Sequence, residues 1–170
     1  IRRVRDYCND TREQVMKLII ENFRRFLLRE NQAKFAGILK IMPSPDIIAQ
    51  AQPLVASLPE EAIPLGDDRL HVTLIHQSIL KPYRKVLKKM SKAGELPAAP
   101  NVVLDPQVEE RVDKELGRKS WVAWVKNQDD MKNYVNQIME LVGGQPNPEP
   151  NRVFHISLAN LTGNPGDSVK

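Results

Sequence analysis

Two short stretches of this chain obey one residue pattern. Residues 70–77 read LHVTLIHQ and residues 153–160 read VFHISLAN. Each alternates in character as a β-strand does, with successive side chains pointing to opposite faces. Each holds a histidine, an aliphatic residue, a small hydroxyl residue and a leucine: His71, Val72, Thr73, Leu74, then His155, Ile156, Ser157, Leu158. Side chains two apart on a strand share a face, roughly 6–7 Å from each other. His71 and Thr73 therefore project together, as do His155 and Ser157. Val72, Leu74, Ile156 and Leu158 turn the other way, toward a core. The chain of 170 residues has three histidines, so two of them fall in this pattern. His76 does not, because Gln77 breaks the aliphatic step. On a period of two it faces opposite His71, which suits a structural or supporting role.

Other segments can be placed around these strands. Residues 11–30 read as an amphipathic helix through Val15, Ile19, Phe23, Phe26 and Leu27. FAGILKIM, residues 35–42, is strand-like. Ser44 followed by Pro45 opens a second helix, which Pro53 should limit or kink. The turn GDD, residues 66–68, feeds a strand over 69–75. Residues 82–92 form a short basic helix. Residues 101–104 and 107–112 are two strands, and 119–127 pairs with the second through a turn at Gly117. Residues 128–142 form a helix with Met131, Tyr134, Val135, Ile138 and Leu141 inward. The run 143–151 is a Gly- and Pro-rich loop before the last strand. Helices and strands in this order specify an α+β fold rather than a regular βαβ series. The pattern strand, helix, histidine strand occurs once over 35–75 and again over 119–158.

With 41% apolar residues, the chain can bury the core of one domain. Its formal net charge of +4 favours anionic partners without specifying one. The one cysteine, Cys8, permits neither an internal disulfide nor a cysteine metal cluster, so a reducing compartment is expected. No apolar run reaches the length of a membrane span, and IRRVR at residues 1–5 is not a signal-peptide start.

If the two motif strands lie side by side, two imidazoles and two hydroxyls converge. Neutral imidazole can take a proton from a nucleophile, and imidazolium can give one to a leaving oxygen. Thr73 and Ser157 can donate hydrogen bonds to phosphate oxygens that gain charge in the transition state. This set suits a phosphodiester and needs no metal or other cofactor. Zinc is the weaker reading: two histidines want a third ligand, and Asp67 and Asp68 sit in the turn before the strand. For either histidine alone, a satisfied structural side chain is the ordinary interpretation.

HVTL and HISL, one per half, resemble the paired motifs of the 2H phosphoesterase superfamily. That resemblance spans roughly residues 35–160. It implies a bilobal α+β fold in a single domain, with lobe one at about 35–92, lobe two at about 101–160 and the helix 11–30 in front. Two pseudo-symmetric sheets would flank a central groove, with helices outside. It also implies metal-independent cleavage of RNA-type phosphodiesters with His71, His155, Thr73 and Ser157 as catalytic residues.

The surroundings FAGILKIMPSP, LHVTLIHQ and RVFHISLANLTGNPGDSV resemble phage anti-CBASS nucleases. That likeness implies cyclic di- and trinucleotide defence signals as substrates, cut at 3′-5′ bonds in the infected bacterial cytoplasm. Base recognition would fall to Trp121 or Trp124, three apart in a strand and so on opposite faces. Both can equally pack against helices. Lys40 can reach a phosphate or simply be solvated. Tyr83 and the basic run 81–92 read as a solvated face, and the loop 163–167 as a border of the groove. Two alternatives stay open: a superfamily enzyme for linear 2′-5′ oligoadenylate or RNA 2′,3′-cyclic phosphate ends, and a non-catalytic basic nucleotide-binding protein or sponge. No membrane association and no stable protein partner are expected.

Overall fold

The computed structural model describes residues 33–169. The helix expected over 11–30, and Cys8, lie outside them. The described residues all belong to one compact unit. In chain order its elements are β1 (Ala33–Phe35), β2 (Leu39–Ile41), α1 (Pro45–Ala56), β3 (Ile63–Pro64), β4 (Val72–Ile75), α2 (Gln77–Leu80), α3 (Arg84–Ala93), β5 (Leu104–Asp113), β6 (Arg118–Val125), α4 (Gln128–Leu141) and β7 (His155–Asn160).

All seven strands belong to one sheet, ordered β1-β2-β4-β7-β6-β5, with β3 also paired to β7. Every pairing is antiparallel. This overturns the expectation of two pseudo-symmetric sheets in a bilobal molecule. The motif strands β4 and β7 are direct neighbours, Val72 opposite Ile156, so they sit inside a single sheet rather than on facing lobes. The α+β class holds, with helices flanking that sheet. β7 is central because its two edges are shared. β6 runs along one edge from Trp124–His155 to Ser120–Asn160. The other edge passes from β4 at Ile156 to β3 at Ala159 and Asn160.

Local chemistry explains the boundaries. The segment 35–42 is not one strand but a hairpin, because Gly37 adopts φ +86°, a turn conformation that favours glycine. Pro45 starts α1 as expected, whereas Pro53 is carried inside the helix, which runs on to Ala56. The strand foreseen over 69–75 begins only at Val72, since Asp67–Arg69 wind into a 3-10 turn. Of the two short strands expected at 101–104 and 107–112, the first is strand only at Leu104, which opens a continuous β5. Its register shifts between Leu104 and Val108, around Pro106, which has no N–H to give the ladder. Gly117 at φ +63° closes the β5–β6 hairpin, as its position suggested.

The core lies where alternating strand residues meet the apolar faces of the helices. Val72, Leu74, Ile156 and Leu158 are all fully buried, as are Ala123 of β6 and Leu39 of β2. From α4, Met131, Tyr134, Val135 and Ile138 point inward, joined by Met139, while Leu141 is 54% exposed and outside the core. Leu87 anchors the otherwise basic α3, which packs on β1. No helix among the described residues is long and apolar enough to cross a membrane.

Candidate active site

The strand alternation that buries Val72, Leu74, Ile156 and Leu158 leaves the intervening side chains on the other face. His71, Thr73, His155 and Ser157 all line one groove of about 840 Å³. That size is within the range of small-ligand sites. The two motifs are thus brought together, each from its own strand, across the β4–β7 seam.

The imidazoles are held alike. His71 Nδ1 donates to the carbonyl of Arg69 at 2.7 Å, and His155 Nδ1 to the carbonyl of Val153 at 3.4 Å. In each case the acceptor is two residues upstream. A carbonyl oxygen can only accept, so Nδ1 carries the proton of the neutral ring and Nε2 keeps the lone pair. His76 has the opposite arrangement. It caps the start of α2, its Nδ1 accepting from the backbone N–H of Ser78. It also lines the groove beside His71, which corrects the opposite-face placement: β4 ends at Ile75, so the period of two does not extend to His76.

Both motif histidines are harder to protonate than a free imidazole. For His71 the main cause is burial, with Lys40 adding repulsion against the hydrogen bond to Arg69. For His155 burial again leads, and the charges of Arg111 and Arg152 with His71 nearby bring it down to about 4. Both rings are neutral near pH 7. The hydroxyls of Thr73 and Ser157 make no hydrogen bond to another described residue, which leaves them free for a ligand.

The remaining candidates separate. Trp124 lines the groove, with its ring 5.5 Å from that of His155 at an interplanar angle of 77°, an edge-on contact. Its Nε1–H donates to Glu109 at 2.6 Å, and Arg111 lies 5.8 Å from its ring centre. Trp121 is 3% exposed and packs with Ala62 and Ala159, so it is a core residue outside the groove. The opposite-faces expectation for the two indoles holds. Lys40 is not part of the groove lining, but it stands opposite Thr73 in the β2–β4 register and acts on His71 through charge.

Three arginines, Arg69, Arg111 and Arg152, also border the groove, and none was singled out from the sequence. For two of them a signal existed: Arg69 lies two residues before His71 and Arg152 three before His155. Arg111 had none, since it reaches the groove only through the β5–β6 pairing. Glu149, the acid on the lining, is ion-paired with Arg152 at 2.8 Å. The groove therefore carries surplus positive charge and favours anions.

The far wall is the segment after β7, through Pro165, Ser168 and Val169. Asn160, fully buried, ties it down. Its Nδ2 donates to Asn164 O at 2.6 Å and Ser168 Oγ at 3.1 Å, and its Oδ1 accepts from the N–H groups of Thr162 and Gly163. The Val169 N–H donates to buried Ser120 Oγ at 2.8 Å. The loop 163–167 thus does border the groove through Pro165. Among the described residues no three His, Cys, Asp or Glu side chains cluster as a metal site would require. Set against known proteins, the chain matches no family model, no curated protein and no solved structure.

Proposed function

We propose that the protein is a metal-independent phosphodiesterase that cleaves 3′-5′ bonds of cyclic di- and trinucleotides by paired histidine acid–base catalysis. The observation that carries this reading is the convergence of His71, Thr73, His155 and Ser157 on one cationic groove. Both Nε2 atoms have lone pairs available for proton transfer, because both Nδ1 atoms are committed to backbone carbonyls.

In the proposed reaction one imidazole takes the proton of a ribose 2′-OH, and that oxygen attacks the adjacent phosphorus in line. The P–O5′ bond breaks, and the second imidazole protonates the departing oxygen. A 2′,3′-cyclic phosphate forms, which water can open with the two roles exchanged. Thr73 and Ser157 donate to the non-bridging oxygens as they gain charge. The imidazole acting as acid must first gain a proton. A bound phosphate supplies the reason: its negative charge offsets Arg111, Arg152 and Lys40 and raises the imidazole pKa, so the proton enters with the substrate. The preference for cyclic defence signals, and with it a role in viral counter-defence, rests on the likeness to anti-CBASS nucleases.

The test is cleavage in excess EDTA of a cyclic dinucleotide, a cyclic trinucleotide and a linear 2′-5′ oligoadenylate, with products read by mass. The cyclic substrates should open, and His71→Ala and His155→Ala should each lower the rate on the order of a hundredfold or more. Cleavage of the linear substrate alone would keep the chemistry and change the substrate. Full activity in both variants would refute the mechanism. Binding without cleavage, unaffected by either variant, would identify a nucleotide-binding protein instead.

A further inference from the structure

The two motif strands are joined by a single register pair, Val72 opposite Ile156. A longer antiparallel ladder would set Leu74 against Phe154 and His76 against Arg152. Phe154 is already committed elsewhere. Its N–H donates to Gln128 Oε1 at 2.8 Å, and its carbonyl accepts from Gln128 Nε2 at 2.8 Å and Val125 N–H at 3.0 Å. Beyond the Val72–Ile156 pair, the backbones of the two motifs are therefore not laced to each other.

Arg152 spans this opening. Its Nε donates to the carbonyl of Thr73 at 3.2 Å, and its Nη1 to Glu149 Oε1 at 2.8 Å. Glu149 Oε2 in turn accepts the backbone N–H of His76 at 3.1 Å. The loop entering β7 thus grips β4 at Thr73 and the chain just beyond it at His76. The Arg152 and Glu149 side chains are 19% and 24% exposed. At that depth solvent screens an ion pair less than at the surface, and a planar guanidinium can serve two acceptors in fixed directions.

We propose that Arg152 and Glu149 form a clamp that sets the His71–Thr73 pair against the His155–Ser157 pair, which makes Arg152 a positioning residue. Its effect on rate rests on the proposed phosphodiesterase reading; the clamp itself is a property of the free protein. The charged and titratable groups acting on His155 come from three places: the cations Arg111 of β5 and Arg152 of the loop, and the titratable His71 ahead of β4. His71 also feels Lys40 of β2. Loss of Arg152 removes both a cation from this set and the tie to Thr73.

The experiment compares Arg152→Met, Arg152→Lys and Glu149→Gln in the full chain. Histidine ring titration by NMR and amide hydrogen exchange at His76 are read without any ligand. Arg152→Met should raise the titration midpoint of His155 and accelerate exchange at His76. Arg152→Lys keeps the charge without the planar fork, so it should restore the midpoint but not the protection. On a cleaved substrate, both Arg152 variants should lose about a hundredfold in kcat, the scale of a small misplacement of reacting groups. KM should change far less. A KM rise in Arg152→Met that Lys reverses, with kcat kept, would overturn the positioning role in favour of plain charge attraction. Unchanged exchange and midpoint in Arg152→Met would overturn the clamp. If that variant fails to fold, unchanged exchange in both Arg152→Lys and Glu149→Gln would overturn it equally. Altered exchange and titration in a protein that cleaves nothing would uphold the clamp and sink the phosphodiesterase reading.

Discussion

His155 is surrounded by causes of neutrality: burial first, then Arg111, Arg152 and His71. This has a consequence for stability. In the unfolded chain an imidazole protonates near pH 6.5, whereas in the fold this one does so only near 4. Between those values the unfolded state binds more protons, so stability is complete above about pH 6.5 and falls as pH drops toward 4. The loss attributable to His155 should reach roughly 3 kcal/mol. Urea unfolding of the wild type and His155→Gln across pH 7.5 to 4 checks this, and the dependence should be shallower in the variant. His71, shifted the same way, adds to the loss in both proteins. Neutral resting imidazoles also predict proton uptake on binding a phosphate diester. Calorimetry in buffers of different ionisation enthalpy should show a binding heat that varies with the buffer. Thr73 and Ser157 act through the hydroxyl alone, so Thr73→Val should lower cleavage by about tenfold to a hundredfold with the fold intact, measured as kcat beside the melting curve.

Elements place those residues, and they do so through a few side chains as well as through ladders. Asn160 ends β7 and serves as donor to Asn164 and Ser168 and as acceptor for Thr162 and Gly163. Asn160→Ala should cost about 2–3 kcal/mol in chemical denaturation, since buried partners lose their hydrogen bonds together. It should also speed amide exchange at Ser168 and Val169, which wall the groove. Gly37 gives a contrasting case. A Cβ there would meet nothing within 4 Å, yet φ is +86°, so Gly37→Ala should cost only about 1 kcal/mol, from backbone strain. The residue pattern identified β6, β7, α1 and α4 well, and β4 apart from its start, because each has a strong period or an evident start. It misjudged 35–42 and 101–112. In both, one residue, Gly37 or Pro106, changes the backbone without disturbing the apolar pattern that surrounds it. Leu141 fits the helical period but emerges at the end of α4, where the core is already closed.

The whole molecule depends on one sheet whose buried side lies beneath the candidate site. Leu74 and Ile156 alternate with the groove residues and are fully buried. Leu74→Ala or Ile156→Ala should therefore cost about 2–5 kcal/mol in urea unfolding, and the strain should reach the adjoining groove residues, Thr73 beside Leu74 and His155 beside Ile156. What the sequence alone determined was local. Alternation in LHVTLIHQ and VFHISLAN fixes which side chains share a face, because that period is a property of the extended backbone. The pairing of His71 with Thr73 and of His155 with Ser157 followed from that and needed no partner strand. Tertiary structure decided everything that depends on which strands meet. It made β4 and β7 neighbours in one sheet instead of opposing lobes, buried Trp121 and left Trp124 on the groove, and delivered Arg111 from β5. It also gave Arg152 and Asn160 their tasks. Strand pairing joins segments more than eighty residues apart. Such contacts are selected by packing over the entire chain, and no local period encodes them.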